Sequence, residues 1–174
     1  MKHCMVLVCL LVSGFVLGEE AVTVKDTGQI EVAFSPGTDC EEMIVKHINE
    51  ATTRVWVQMY NFTNVKIAAA MVTAKNKGLE VIFIGDRSVK TENKSELAMI
   101  FNAKIPCYLD SKHPIAHNKI CIIDDDLLGT GSFNWSEHAK KNAENYIFIT
   151  SKAIVALYVA NFTDHQKHSE TYKP

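Results

Sequence analysis

The 174-residue sequence predicts an α/β domain, a central mixed β-sheet flanked by helices. Three observations predict it. Strand-like and helix-like segments alternate from residue 29 onward. One segment, Leu79 to Gly85, is a nearly continuous apolar run, as in a strand buried on both faces. The later strand-like segments follow each other with short turns, which makes part of the sheet antiparallel.

Gln29 to Phe34 places Ile30, Val32 and Phe34 two apart, the period of a strand, and Ser35-Pro36-Gly37 closes it. Asp39 is positioned to cap a helix through about Ala51, with Met43, Ile44, His47 and Ile48 on its apolar stripe. Arg54 to Tyr60 is a predicted strand. Asn64 to Lys77 is a predicted helix with Ile67, Ala68, Met71 and Val72 inward, stopped by Gly78. Thr91 to Ala103 is expected to be a further helix. Ile105–Leu109, Lys119–Asp124, Leu127–Phe133 and Asn145–Thr150 are expected strands, and Lys152 to about His168 a terminal helix. No internal repeat is visible.

The length suits one domain and is short for two. Apolar residues make up 47% and charged residues 22%, an ordinary globular balance. The formal net charge is -2, so the whole molecule carries no general attraction for polyanions, and any such attraction has to come from a local basic cleft.

The first eighteen residues read as a secretory signal. Lys2 and His3 precede an apolar stretch from Cys4 to Leu17, and Gly18 is a suitable small residue for cleavage. Residues 19–28 form a polar lead-in, and residues 29–170 the folded domain. The protein is therefore expected to be exported, periplasmic or secreted. Cys40, Cys107 and Cys121 remain after cleavage, enough for one disulfide and one free thiol. Cys107 and Cys121, on neighbouring predicted strands, are the candidate pair. The alternative is three buried thiols acting as small apolar groups.

The stretch that carries chemistry runs from His117 through Lys119 and Asp124 to Gly131-Ser132-Phe133-Asn134. Alternate residues of a strand share a face, so His117 and Lys119 point one way, as do Ser132 and Asn134 on the next strand. The turn near Asp125–Asp126 would bring the two pairs together. Imidazole is both a nucleophile toward phosphorus and a general acid. An ammonium, a hydroxyl and an amide supply charge and donors to phosphate oxygens. Asp124 stands seven residues from His117, and strand parity turns it to the opposite face, where it would support the turn or the Lys119 strand. Glu144 is the better candidate for holding the second ring nitrogen of His117.

These residues resemble the phospholipase D superfamily, whose signature is His-x-Lys-x4-Asp-x6-Gly-Ser-x-Asn. Every fixed position is present. The His-x-Lys-x4-Asp part alone arises by chance in on the order of one chain in a hundred, and Gly-Ser-x-Asn at the right offset removes that explanation. Val55–Tyr60, Asn61-Phe62-Thr63, Ala74–Gly78 and Val81–Asp86 are similar to the small single-motif bacterial endonucleases of the superfamily, the Nuc-like subgroup.

The resemblance implies a phospholipase D-like fold with catalytic residues His117, Lys119, Asp124 and Glu144. It implies that His117 forms a phosphohistidine and that Lys119, Ser132 and Asn134 bind phosphate. Glu144 matches the acidic residue that hydrogen-bonds the histidine. The family uses two motifs per active site and this chain has one, which implies a homodimer with a shared site. No metal and no other cofactor is implied. The expected substrate is nucleic acid, DNA or RNA; the alternatives are a phospholipid substrate and an inactive phosphate- or nucleic-acid-binding member.

Other features have ordinary readings. His113 and His117 with Cys107, Cys121 and His138 invite a zinc reading, but Pro114 and the flanking strands argue against the helix that His-x3-His needs. Trp135 is expected to pack in a core or interface. Asp86 and Arg87 are expected to form a local ion pair, and Lys140–Lys141 a solvated face. The glycosylation sequons at Asn61, Asn93, Asn134 and Asn161 are uninformative.

Overall fold

The computed structural model describes residues 22–25, 28–37 and 39–174. The expected signal segment, residues 1–18, and the start of the lead-in lie outside the described residues. The described chain runs β1 (Ile30–Ser35), α1 (Cys40–Glu50), β2 (Arg54–Met59), α2 (Val65–Asn76), β3 (Glu80–Asp86) and α3 (Leu97–Asn102). It continues through β4 (Cys107–Asp110), β5 (Lys119–Ile123), β6 (Leu127–Gly131), β7 (Glu144–Thr150), α4 (Lys152–His168) and β8 (Glu170–Thr171).

The strands form one eight-stranded sheet in the order β1-β7-β6-β5-β2-β3-β4-β8. β2, β3 and β4 run parallel to one another, and every other pairing is antiparallel. The sheet is thus the expected mixed one, with helices on both sides.

Strand parity builds the layers. Val55, Val57, Met59, Val81, Phe83, Cys121 and Ile123 face one core that also holds Ile44 and Ile48 of α1 and Ile67 and Met71 of α2. Ile82, Ile84, Ile120, Ile122 and Leu128 face the other, closed by Val155 and Phe162 of α4. This explains why the central strands read as continuous apolar runs: both faces are covered.

Three caps set where helices begin. Asp39 accepts from the Glu42 amide, Asn64 from that of Ile67 and Ser151 from that of Ile154. α1 and α2 are joined by Glu41, a buried carboxylate that takes Asn64 Nδ2 at 2.5 Å, Lys66 at 2.8 Å and Lys140 at 2.9 Å. Burial pushes this carboxyl up, but those donors outweigh it and hold it at about 2. Lys140 is therefore part of an ion-pair cluster rather than the expected solvated face. Trp135 is fully buried and bridges to Phe62, as expected of a core residue.

Two further expectations fail. The helix expected from Thr91 to Ala103 is reduced to Leu97–Asn102. Lys94 has φ +62, a left-handed turn that no helix continues through, and Ser95 turns its hydroxyl to the Leu97 amide. The disulfide candidate also fails, since Cys40, Cys107 and Cys121 are free and buried. Cys107 lies on β4 and Cys121 on β5, with β2 and β3 between them. Three strand spacings amount to about 14 Å, twice the reach of a disulfide.

Candidate active site

The carboxyl ends of the parallel strands β2, β3 and β4 lie beside the start of β5 and the end of β6. That edge is where open α/β sheets place ligands. His117 and Lys119 stand there, with Gly131 across from Lys119 when the β5–β6 register is continued from Ile120↔Thr130. An open groove of about 430 Å³ is lined by His117, Asn118, Lys119, Thr130 and, from α4, Leu157 and Asn161.

His117 is exposed and Lys119 is buried beneath it, 6% accessible. Lys119 Nζ lies 3.0 Å from Nδ1 and 3.2 Å from Nε2 of His117, and donates to the His117 carbonyl oxygen at 2.9 Å. Only a neutral imidazole offers an acceptor to an ammonium, so the contact favours the unprotonated ring. Burial and then the Lys119 charge push the His117 pKa below its ordinary value, with Asp86 pulling the other way. Burial also pushes Lys119 down, to about 8, against an opposing pull from Glu144. The Tyr60 ring packs on His117 with centroids 4.5 Å apart, and Lys119 Nζ lies 5.2 Å from the Tyr60 centroid.

Asp86 fixes the segment that enters the site. Its carboxylate accepts the Ser88 amide at 2.8 Å and the Ala116 amide at 2.8 Å, one residue before His117. The expected ion pair with Arg87 is replaced by these two backbone donors. This positioning role was not visible in the sequence, because Asp86 and Ala116 are thirty residues apart.

β6 ends in a bulge. The amides of Ser132 and Phe133 both donate to the Asn145 carbonyl, at 3.0 and 3.2 Å. A Cβ on Gly131 would sit 2.3 Å from the Asn145 carbonyl oxygen and 2.8 Å from Tyr146 Cα, so only glycine fits this crossing. Ser132 Oγ donates to Glu144 at 2.5 Å and accepts from the Asn145 amide at 3.1 Å. Asn134 follows on the loop, with a buried side-chain oxygen that has no hydrogen-bond partner.

The expected roles divide accordingly. His117 and Lys119 meet. Ser132, Asn134 and Glu144 gather at the same end of the sheet but do not line the groove. Glu144 does not hold His117 as expected; it is engaged by Ser132 and by Asn142 at 3.2 Å. Among the described residues, the ring nitrogens of His117 meet Lys119 alone as a hydrogen-bonding partner.

Asp124 does not reach the groove. It sits at the far end of β5, about 20 Å of strand from His117. There it accepts from the Thr52 and Thr53 amides and hydroxyls and the Arg54 amide. Its φ of +51 turns the chain into the next hairpin. The motif aspartate thus ties the β5–β6 turn to the start of β2, as the parity argument expects.

The zinc set that the sequence argued against does not form either, since Cys107 and Cys121 are buried apart in the sheet. His113 instead converges with Asp110, His165 and His168.

A model of the family described as Cardiolipin synthase, PLD-like domain matches residues 44–166. A protein named Phospholipase D from Rickettsia prowazekii is 34% identical over 134 residues, 76% of this chain and 65% of its own length. A protein of the same name from Rickettsia conorii is 32% identical over 139 residues, 79% of this chain and 70% of its own. Among solved structures, the phospholipase D family member Nuc from Salmonella typhimurium aligns with a TM-score of 0.80 and 31% identity. That alignment covers 84% of this chain and 99% of Nuc. NucT from Helicobacter pylori shares the fold, with a TM-score of 0.73 at 21% identity over 83% of this chain and 99% of its own.

Fold and site together define a phosphodiester hydrolase built on a mixed α/β sheet. The chain belongs to the phospholipase D superfamily and is a small Nuc-like member of it.

Proposed function

We propose that the protein is an exported endonuclease that cleaves DNA or RNA through a phosphohistidine on His117, at a site shared by two copies of the chain. The observation that carries this reading is an exposed imidazole over a buried ammonium, at the mouth of an open groove. The groove wall is partly polar, with Asn118, Thr130 and Asn161, which suits a phosphate–sugar backbone. The likeness to Nuc supports the same reading.

In the proposed reaction a ring nitrogen of His117 attacks phosphorus, and the bond to the leaving oxygen breaks. The protonated His117 of the partner subunit gives that oxygen its proton. Water then attacks the phosphohistidine, the P–N bond breaks, and the partner's His117 takes the water's proton. Lys119 offsets charge on the non-bridging oxygens. The sum is one phosphodiester and one water giving a phosphomonoester and an alcohol. Nothing in these steps calls for a metal ion.

Apolar surface beside the groove supports the shared site. Ile30, Val32 and Phe34 of the edge strand β1 are each half-exposed or more. The strand register runs Val32–Ile147–Thr130–Ile120 across the sheet, so this strip continues into the groove wall.

A lipid phosphodiesterase is the second reading. Exposed Ile115, two residues before His117, and exposed Leu157 on the groove wall favour it, as does the name of the Rickettsia relatives. The test is a panel of single-stranded DNA, duplex DNA, RNA and phospholipid vesicles, with EDTA, at a temperature well below unfolding. The expected result is nucleic-acid cleavage by a dimer and none by His117→Ala. Vesicle hydrolysis alone would select the lipid reading, and no turnover on any substrate would select an inactive member. An active strict monomer in light scattering would contradict the shared site.

A further inference from the structure

Three of the seven histidines converge on one carboxylate away from His117. Asp110 ends β4 and is fully buried. Its Oδ2 lies 2.9 Å from His113 Nδ1, 2.8 Å from His165 Nδ1 and 3.2 Å from His168 Nε2. All four ligating atoms fall within 4.8 Å of one another. The three rings also close on each other, with centroids 4.9, 5.2 and 5.1 Å apart.

Hydrogen bonding alone serves this arrangement poorly. A carboxylate oxygen offers about two lone pairs, and three imidazole nitrogens crowd Oδ2. The other oxygen, Oδ1, is already taken by the amides of Lys112 at 3.0 Å and His113 at 3.3 Å. Those amides also hold the carboxylate with Oδ2 facing the rings, the way outer partners orient a metal ligand.

We propose that Asp110, His113, His165 and His168 bind a divalent transition-metal ion, Zn²⁺ by ligand type. Three imidazoles and one carboxylate make the four-coordinate nitrogen-and-oxygen set that Zn²⁺ takes. Bond lengths near 2.0–2.1 Å place tetrahedral ligand atoms about 3.3 Å apart. The observed separations around Oδ2 are within a few tenths of an ångström of that value. Four protein ligands leave no open position, so the ion is structural rather than catalytic. His113 is 41% exposed, which leaves a path for the ion from solvent.

The site has a structural purpose. His165 and His168 are three apart in the last turn of α4 and share one face. Asp110 and His113 belong to β4 and the turn that follows it. The ion would pin α4 to the sheet just before β8 pairs with β4. Asn161, one turn before His165, lines both this pocket and the His117 groove. The pinned helix is therefore one wall of the active site.

The test uses the tag-free mature chain, stripped with EDTA and dialysed, then titrated with ZnCl₂ by calorimetry and followed by thermal unfolding. One ion per chain is expected with a micromolar or tighter Kd. At a hundredfold excess over Kd, Tm should rise by about 5 °C or more. CoCl₂ should give the intense visible absorption of a tetrahedral cobalt site. His113→Gln, a change in an exposed loop, should weaken binding at least tenfold while leaving the circular dichroism of the stripped protein unchanged. The double variant His165→Gln/His168→Gln should abolish it. Absence of binding at 100-fold above a micromolar Kd, or binding unchanged in His113→Gln, would overturn the proposal.

Discussion

Lys119 places its ammonium within hydrogen-bonding distance of both ring nitrogens of His117 and on the carbonyl of the same residue. Among the described residues no carboxylate pairs with this cation. A buried, unpaired charge costs stability, and its natural partner is an anion the protein does not itself supply. A phosphate group in the groove is such an anion.

The first prediction follows from that cost. Lys119→Met should raise stability by about 1–2 kcal/mol, or about 2–8 °C in Tm, while lowering turnover at least a hundredfold. Thermal unfolding and steady-state rates on one preparation check both halves. Reduced stability in this variant would mean that the ammonium holds the fold together rather than waiting for substrate.

The same pair sets the pH dependence. One His117 must be neutral to attack and the partner's His117 protonated to donate, so the rate peaks near their lowered pKa and falls on both sides of it. Lys119 must be charged to hold phosphate, so the alkaline limb set by the partner's His117 steepens near pH 8 in the free enzyme. The sign for stability is opposite. Lys119 has a folded pKa of about 8 against an ordinary 10.5, so between these values the unfolded chain binds more protons. Its destabilising contribution is full below pH 8 and is relieved as pH rises toward 10.5. Subtracting the Tm–pH curve of Lys119→Met from that of the wild type isolates this slope.

Gly131 is fixed by backbone rather than by chemistry. Gly131→Ala would force a Cβ into the Asn145 carbonyl. A loss of about 2 kcal/mol or more is expected, with displacement of Ser132 and Asn134 and loss of most activity. Urea unfolding and the rate per folded molecule measure the two effects separately.

Asp124 should separate stability from catalysis. Asp124→Ala leaves five donors on Thr52, Thr53 and Arg54 without an acceptor and should cost about 3 kcal/mol. The folded variant should retain its kcat. Burial raises the carboxyl, but the Thr53 hydroxyl and the Arg54, Thr53 and Thr52 donors outweigh it and hold it at about 2. Its stabilising contribution is therefore present above the ordinary carboxylate range and is lost as pH falls through about 2. A kcat reduced at full folding would return Asp124 to the catalytic set.

Local pattern carried most of the fold. α4 begins and ends at the expected residues, and the caps at Asp39 and Asn64 do what their residue types suggest. Parity along β5 was enough to send Asp124 away from His117. The failures are tertiary. Strand order, which separates Cys107 from Cys121, is absent from any local window. The bulge after Gly131 breaks the simple alternation assumed for Ser132 and Asn134 and gives Glu144 to Ser132. Asp110 and His113 meet His165 and His168 only because β4 and α4 pack together, more than fifty residues apart. The three-residue spacing in each pair, Asp110-x2-His113 and His165-x2-His168, was the one available signal.

The central claim is that His117 carries the phosphoryl group. Rapid base-quench of enzyme mixed with a ³²P-labelled DNA oligonucleotide, followed by peptide mass spectrometry at alkaline pH, tests it directly. A base-stable, acid-labile phosphoryl adduct on His117 is expected, with none on His117→Ala. Full hydrolysis by His117→Ala, or an adduct on another residue, would contradict the account.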